Sequence, residues 1–350
     1  MTPRTKNMIP GCTVAAGYAR HLIELAVSRG ASATMLAERA GIRPEDVRDH
    51  DARIPLATFL ELMRVGKILC DDPALALHFG EQVDVLETSL VGLIGRSCAT
   101  LADAFEQMNR YSRLVVEVDL GTPDRYQLVR ATDGLRVVDT RKNPNDTPEI
   151  TESGFARMVC MSRRLGKPEF VKAVHVTHPE PAYRAEYDRV FQVPIVFASD
   201  QNAVVTDPAW MTLPPTRDPA VRLPRYAFGI LSAHAEALLE SLERSKSTRG
   251  RVESALIPIL HTGTARINTV AGALALSRQT LFRRLKVEGV TFEKVLDELR
   301  HKMALHYLGG KKTSVNETAY LLGFSDSAAF SRAFKRWTGS SPRLYTTTEA

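Results

Sequence analysis

Residues 270–277 read Val270-Ala271-Gly272-Ala273-Leu274-Ala275-Leu276-Ser277 and lead into Arg278-Gln279-Thr280-Leu281-Phe282-Arg283-Arg284-Leu285-Lys286. Residues 318–325 read Thr318-Ala319-Tyr320-Leu321-Leu322-Gly323-Phe324-Ser325 and lead into Asp326-Ser327-Ala328-Ala329-Phe330-Ser331-Arg332-Ala333-Phe334-Lys335-Arg336-Trp337. These are two copies of one device: a short helix, a tight turn, and a second helix carrying basic residues. The leading helices align at an offset of 48 (Val270 to Thr318) and the trailing ones at 49 (Leu281 to Phe330), because the second turn is one residue longer. A helix-turn-helix of this kind sets its second helix in the DNA major groove.

Charge points the same way. The chain has 46 Lys+Arg against 40 Asp+Glu, but residues 251–350 hold 15 basic and 8 acidic side chains while residues 1–250 hold 31 and 32. The excess sits in the segment that carries the repeat. A localised basic surface suits a polyanion, since each neutralised phosphate releases condensed counterions.

Each trailing helix opens at a residue fit to cap it, Ser277 in the first unit and Ser325 or Asp326 in the second, whose oxygens can accept from first-turn N–H groups. Leu281 and Leu285 form the inward face of the first trailing helix, and Phe330 and Phe334 that of the second. The opposite faces hold the candidate base readers: Arg278, Gln279, Phe282 and Arg283, then Ser327, Ala328, Ser331 and Arg332. Arg suits guanine O6 and N7, Gln suits adenine, and an apolar group such as Phe282 suits the thymine methyl. Arg284, Lys286, Lys335 and Arg336 lie towards the flanks, where phosphate contact is expected. The competing reading of any one of these basic residues is an ordinary solvated helix surface.

Between the units, Phe292 to Leu308 reads as one helix ended by Gly309-Gly310, with Val295, Leu296, Leu299, Met303, Leu305 and Leu308 as its apolar positions. Some 17 residues span roughly 25 Å at about 1.5 Å per residue. Such a rod could hold the two trailing helices near one duplex turn apart, about 34 Å.

At 350 residues, with 44% apolar and 25% charged side chains, the chain is ordinary globular protein, long enough for two or three domains. Cys12, Cys70, Cys98 and Cys160 are scattered, as expected of incidental thiols in a reducing cytoplasm. No apolar run reaches the ~20 residues needed to span a bilayer. The stretch from Ile9 to Ala19 makes a poor signal peptide, so a cytoplasmic chain without membrane partners is expected.

Residues 1–12 read as a loose tail. Helices are expected from Tyr18 towards Gly30, then over Ala33 to Ala40, Pro55 to Cys70, Pro73 to Glu81 and Leu90 to Tyr111, the last with a buried stripe of Leu101, Ala104, Phe105 and Met108. Leu114 to Leu120, Arg125 to Arg130 and Leu135 to Thr140 then read as an antiparallel meander. A helix over Glu152 to Leu165, a strand over Val171 to Thr177, a helix over Ala182 to Phe191 and strands over Pro194 to Phe197 and Ala203 to Thr206 follow. A helix from Ala220 to Leu242 precedes an aperiodic polar stretch. The expected fold is an α+β N-terminal sensing domain followed by an all-α C-terminal domain with two helix-turn-helix units joined by a long helix. The boundaries are 13–240 for the effector-binding and dimerisation domain, 241–252 for the linker and 253–346 for the DNA-binding domain.

Leu322-Gly323-Phe324-Ser325-Asp326 and Phe330-Ser331-Arg332-Ala333-Phe334-Lys335-Arg336-Trp337-Thr338-Gly339-Ser340-Ser341-Pro342-Arg343-Leu344-Tyr345, with Leu276-Ser277-Arg278-Gln279-Thr280-Leu281 in the first unit, resemble the AraC/XylS family of bacterial transcriptional regulators over about Ile267 to Tyr345. The family's base-contacting motif positions fall on the outward residues named above. The front half is similar to the "arabinose-binding" type of N-terminal domain of the branch that includes ornithine-utilisation and virulence regulators. Its matching pieces are Leu90-Val91-Gly92-Leu93-Ile94-Gly95, Leu101-Ala102-Asp103-Ala104-Phe105, His178-Pro179, Tyr187, and Phe191-Gln192-Val193-Pro194-Ile195-Val196-Phe197. The resemblance implies an effector-responsive activator of transcription that binds promoter DNA, with RNA polymerase and a small-molecule effector as partners and a homodimer as its assembly. Sugar binding does not follow from the domain's name.

No catalytic residue, cofactor or metal is expected. His175 and His178 have a metal-pair spacing for a helix, but Val171 to Thr177 reads as a strand, where positions i and i+3 point to opposite faces. No phosphate-cradling Gly loop or nucleophile turn is present. Two alternatives remain at this stage. A DNA-repair methyltransferase-regulator would need a tight zinc-bound cysteine cluster, which four scattered cysteines do not supply. A ligand-independent architectural binder would leave about 240 further residues, beyond the 50–200 typical of one domain, without a purpose.

Overall fold

A computed structural model of the protein describes residues 11–49, 51–83, 89–216, 223–309 and 313–348. Residues 1–10 of the expected tail and Gly310 of the expected helix stop lie outside them. The chain divides into two compact units, Met1–Leu239 and Glu240–Ala350.

The first unit opens with β1 (Thr13–Ala15), α1 (Ala16–Ser28), α2 (Ala33–Ala40), β2 (Arg53–Pro55), α3 (Leu56–Leu69) and α4 (Leu75–Gln82). Local chemistry sets the bounds of α2: Ser32 accepts from Met35 N at 3.3 Å, and Gly41 closes the helix at φ 68°. Leu22, Leu36, Leu62 and Phe79 are buried in the core these helices share. The long helix expected from Leu90 to Tyr111 is two, α5 (Leu90–Ser97) and α6 (Leu101–Val115). A reciprocal cap makes the break: Thr100 Oγ1 accepts from Asp103 N, and Asp103 Oδ2 accepts from Thr100 N, both at 3.1 Å. The strand expected over Leu114 to Leu120 is also corrected. Helix α6 continues to Val115 because Leu114 prolongs its buried side, and Val116 makes only an isolated bridge to Val14.

Next come β3 (Tyr126–Ala131), β4 (Gly134–Asp139), α7 (Pro148–Arg164), β5 (Val171–His175), α8 (Arg184–Phe191), β6 (Ile195–Val196) and β7 (Ala203–Thr206). They build one sheet in the order β3-β4-β7-β5-β6, antiparallel except for the parallel β5–β6 pair. The meander expectation holds for the β3–β4 hairpin alone, since the other neighbour of β4 is β7. Helix α7 packs on this sheet through Phe155 and Val159 and crosses α4 closely. A Cβ at Gly80 would stand 2.2 Å from Ser153 O, so only glycine permits the crossing.

The boundary between the units falls within α9 (Arg225–Lys246), and α10 (Thr248–Leu256) follows. The stretch 241–252, expected as an aperiodic linker, is therefore helical on both sides of Ser247, whose hydroxyl accepts from Gly250 N at 2.9 Å. Its polarity reflects exposure rather than loss of helix. The second unit continues through α11 (Ile267–Ala273), α12 (Arg278–Val287), α13 (Phe292–Leu308), α14 (Val315–Leu321), α15 (Ser327–Thr338) and α16 (Pro342–Thr348). Among the described residues, no helix is long and apolar enough to cross a membrane.

Candidate nucleic-acid interface

The two helix-turn-helix units are α11–α12 and α14–α15, and the offsets of 48 and 49 reappear in their helix starts, Ile267 to Val315 and Arg278 to Ser327. Ser277 caps α12 by accepting from Thr280 N at 3.1 Å. Of the two candidates in the second unit, Asp326 is the cap, accepting from Ala329 N at 2.6 Å, while Ser325 donates to the Asp326 carboxylate at 3.1 Å. That second bond and the Ala329 N–H both favour the charged form, and Asp326 stays below the usual carboxylate range.

Each trailing helix is anchored where its periodicity requires. Leu281, Leu285, Phe330 and Phe334 are all buried. The units have separate cores that meet along α13. Its first half supplies Phe292, Val295 and Leu299 to the core of α10–α12. Its second half supplies Ala304 and Leu308 to that of α14 and α15, and Met303 packs against both. One 17-residue helix thus carries the expected bounds, Phe292–Leu308, and belongs to both cores. Leu296 and Leu305, expected among its apolar positions, are half-buried.

With the inward faces fixed, the helical period turns the other residues out. Arg278, Gln279, Phe282 and Arg283 are exposed along α12, and Arg284 and Lys286 are exposed beside them. Phe282 keeps 56% of its surface accessible, which a buried-core role does not explain. No ion pair involving Arg278, Arg283, Arg284 or Lys286 is formed among the described residues, so these cations remain available to an external anion. On α15, Ala328 and Arg332 are exposed and Ser327 and Ser331 half-buried, which leaves a smaller, less charged face. Lys335 is exposed at its flank.

Arg336 differs from the expectation of a simple phosphate contact. Its Nη2 lies 2.5 Å from Asp297 Oδ1 on α13, and Trp337 Nε1 donates to the other oxygen, Oδ2, at 2.8 Å. A second residue on α13, Arg300, donates from Nε to Leu322 O at 2.9 Å and from Nη2 to Gly323 O at 3.2 Å, with its guanidinium 4.7 Å from the Phe324 ring centre. Arg300 thus satisfies the carbonyls left over where α14 ends. Burial pushes its guanidinium pKa down, against the pull of Asp297. Sequence reasoning misses both Asp297 and Arg300. Their only signal is a charged side chain on the stretch of α13 that must face the second unit.

In the N-terminal compact unit, His175 Nδ1 lies 3.2 Å from Ser199 Oγ, and His178 Nε2 lies 2.9 Å from the Tyr187 hydroxyl. Among the described residues no three His, Cys, Asp or Glu side chains are grouped as a metal site requires. Cys98 and Cys160 are buried, Cys12 and Cys70 half-buried.

Residues 30–215 match the family described as the arabinose-binding domain of AraC transcription regulator, N-terminal, and residues 270–348 match a helix-turn-helix domain family. The chain is 29% identical over 345 residues to the ornithine utilization regulator of Pseudomonas aeruginosa, covering 95% of this chain and 96% of that one. It is 25% identical over 343 residues to the transcriptional regulator VirS of Mycobacterium tuberculosis, covering 94% of each. Among solved structures, the transcriptional regulator CdpR from Pseudomonas aeruginosa aligns over 95% of this chain and 98% of its own at 21% identity, with a TM-score of 0.40.

Proposed function

The chain belongs to the AraC family of transcription regulators, and from that premise we propose that it is an effector-responsive activator whose two units read adjacent major-groove segments of promoter DNA. DNA binding and transcription regulation come with the family. The finer reading rests on one observation: two capped helices, fixed to one rod, present exposed faces at matched positions. On α12, Arg278, Gln279, Phe282 and Arg283 take base edges, while Arg284 and Lys286 take phosphates. On α15, Ser327, Ala328, Ser331 and Arg332 face the bases and Lys335 the backbone. Phosphate contact by Arg336 would first have to displace Asp297. The first unit carries more of the affinity, because more unpaired positive charge lies on α12.

Residues 13–240 are proposed as the effector-binding and dimerising domain, and 253–346 as the DNA-binding domain. Effector binding shifts the population of DNA-competent arrangements, and only a difference in affinity between the two states can do so, typically about 1–3 kcal/mol. The assembly is a homodimer acting with RNA polymerase in the cytoplasm, and no catalytic step is assigned. Selection from random duplex oligonucleotides by the full chain, followed by footprinting, tests this reading. A selected site protected over two successive major grooves on one face supports it. Retention with no sequence preference at physiological salt overturns it.

A further inference from the structure

The N-terminal compact unit, Met1–Leu239, contains a cavity of about 490 Å³ between α5 and α6 on one side and α7 and the sheet on the other. That volume suits a small organic ligand. Phe59, Val91, Phe105, Met108 and Met158 give it an apolar wall. The Ala104, Phe105 and Met108 stripe of α6, expected to be buried in a core, is half-buried because it faces this space.

The charged residues of the wall are all of one sign. Arg96, Arg125, Arg157, Arg164 and Lys167 line the cavity, and no Asp or Glu is among its described lining residues. Arg125 has a counter-charge: its Nε lies 3.1 Å from Asp139 Oδ1, and Arg141 occupies the other oxygen of that carboxylate at 2.8 Å. Arg157 has none among the described residues: its guanidinium donates from Nη1 to the Tyr18 hydroxyl at 2.6 Å, lies 5.8 Å from that ring centre, and has the Tyr126 phenol as its other electrostatic neighbour. The Glu152 carboxylate on the same helix is held through Oε1, by the Tyr183 and Tyr187 hydroxyls, each at 2.7 Å, while its buried Oε2 has no hydrogen-bond partner and forms no pair with Arg157 among the described residues. A cation withdrawn from bulk water without a carboxylate is costly, and an arginine offers a planar fork suited to one. Beside it on the cavity wall stands Tyr126, a buried residue whose hydroxyl has no hydrogen-bond partner among the described residues. It faces Gly154, where a Cβ would come within 3.2 Å.

We propose that this cavity is the effector site and that its ligand is a monocarboxylate with an apolar body, the carboxylate held by Arg157 and Tyr126. The proposal deepens the effector-responsive reading above and rests on it. It also separates ligand classes. A diamino acid brings two ammonium groups, and the described wall meets them with like charges and no carboxylate. An aliphatic chain and an aromatic ring both fit the apolar wall, so the two are distinguished by experiment.

Calorimetric titration of the full chain with octanoate, 3-phenylpropanoate, octanamide and ornithine tests the assignment. At least one of the two carboxylates is expected to bind, about tenfold or more tighter than the neutral amide, since a charge-assisted pair is lost with the charge. Arg157→Gln should abolish that preference. Tyr126→Phe, which keeps the ring and its packing, should reduce carboxylate affinity severalfold. The ratio of carboxylate to amide affinity is the deciding readout, because a purely structural tether from Arg157 to Tyr18 would leave it unchanged. Equal binding of acid and amide, binding of ornithine alone, no binding by any of the four, or an unaltered ratio in both variants overturns the ligand class. The regulator reading is tested separately: octanoate or phenylpropanoate that binds without altering affinity for the selected DNA site sinks effector control, not the ligand assignment.

Discussion

The Trp337 indole donates to Asp297 Oδ2 at 2.8 Å, so the end of α15 is tied to the helix that also packs into the core of α10–α12. Arg336 meets the other oxygen of the same carboxylate at 2.5 Å. One carboxylate therefore links α15 to α13, beside the packing of Phe330 and Phe334 against Ala304 and Leu308. The indole bond is part-buried and charge-assisted, whereas the Arg336 pair is exposed and worth little by itself. Asp297→Ala is expected to destabilise the second unit by about 1–2 kcal/mol, mostly through the unpaired indole N–H. Denaturant unfolding followed by circular dichroism measures that loss. Arg336→Ala should cost far less, and an equal cost would refute the ranking.

The two arginines Arg283 and Arg284 are neighbours in sequence with different expected duties. Arg283→Ala should weaken binding to a selected site by about 1–3 kcal/mol while changing affinity for random duplex much less. Arg284→Ala should weaken both alike and lower the salt slope by about 1. Fluorescence anisotropy at several salt concentrations separates the two. An equal loss on both duplexes with Arg283→Ala would make it a phosphate anchor.

How far the sequence speaks depends on how local the signal is. The two units are readable because capping and burial repeat in phase: Ser277 with Leu281 and Leu285, Asp326 with Phe330 and Phe334. The rod is readable because Phe292–Leu308 keeps its apolar period between a Thr291 cap and a glycine. The break between α5 and α6 is hidden, since Thr100 and Asp103 cap a helix in the middle of one continuous amphipathic pattern. Strand order is not local at all, and nothing in β4 announces β7 as its neighbour. Arg157 is equally silent. It adjoins Met158 and sits one turn from Met161 on α7, and only three-dimensional packing shows that no carboxylate among the described residues pairs with it.

Glu288, just past α12, accepts from the backbone N–H of Thr248 at 2.6 Å and of Arg249 at 2.9 Å, so it caps α10 from a distance of 40 residues in sequence. Burial raises its pKa, but the hydrogen bonds from Arg249 and Thr248 outweigh that and hold it below the usual carboxylate range. A carboxylate with a depressed folded value adds stability above its unfolded pKa, about 4.3 for Glu. That contribution is lost as pH falls below it and through the folded value. Glu288→Gln should therefore lower stability at pH 7 and flatten the fall of stability below about pH 4.3. Chemical denaturation at pH 7, 5 and 3.5 measures both. An unchanged acid slope would show that other carboxylates dominate it.

The turn of each unit places one residue in the left-handed region: Ala275 at φ 52° in the first and Gly323 at φ 69° in the second. The two stand at equivalent positions 48 apart, yet only one is glycine. A Cβ on Gly323 would lie 1.9 Å from Leu260 O, a backbone atom that cannot step aside. Gly323→Ala thus adds a clash to the ~1–2 kcal/mol left-handed penalty and should cost about 2 kcal/mol or more. At Ala275 the penalty is already being borne. Ala275→Gly removes it but gives back the ~0.5–1 kcal/mol by which glycine loosens the unfolded chain. The expected net is a gain of a few tenths to about 1 kcal/mol, read as a raised unfolding midpoint. Loss of stability on Ala275→Gly would mean that the Ala275 methyl makes contacts worth more than the strain it carries.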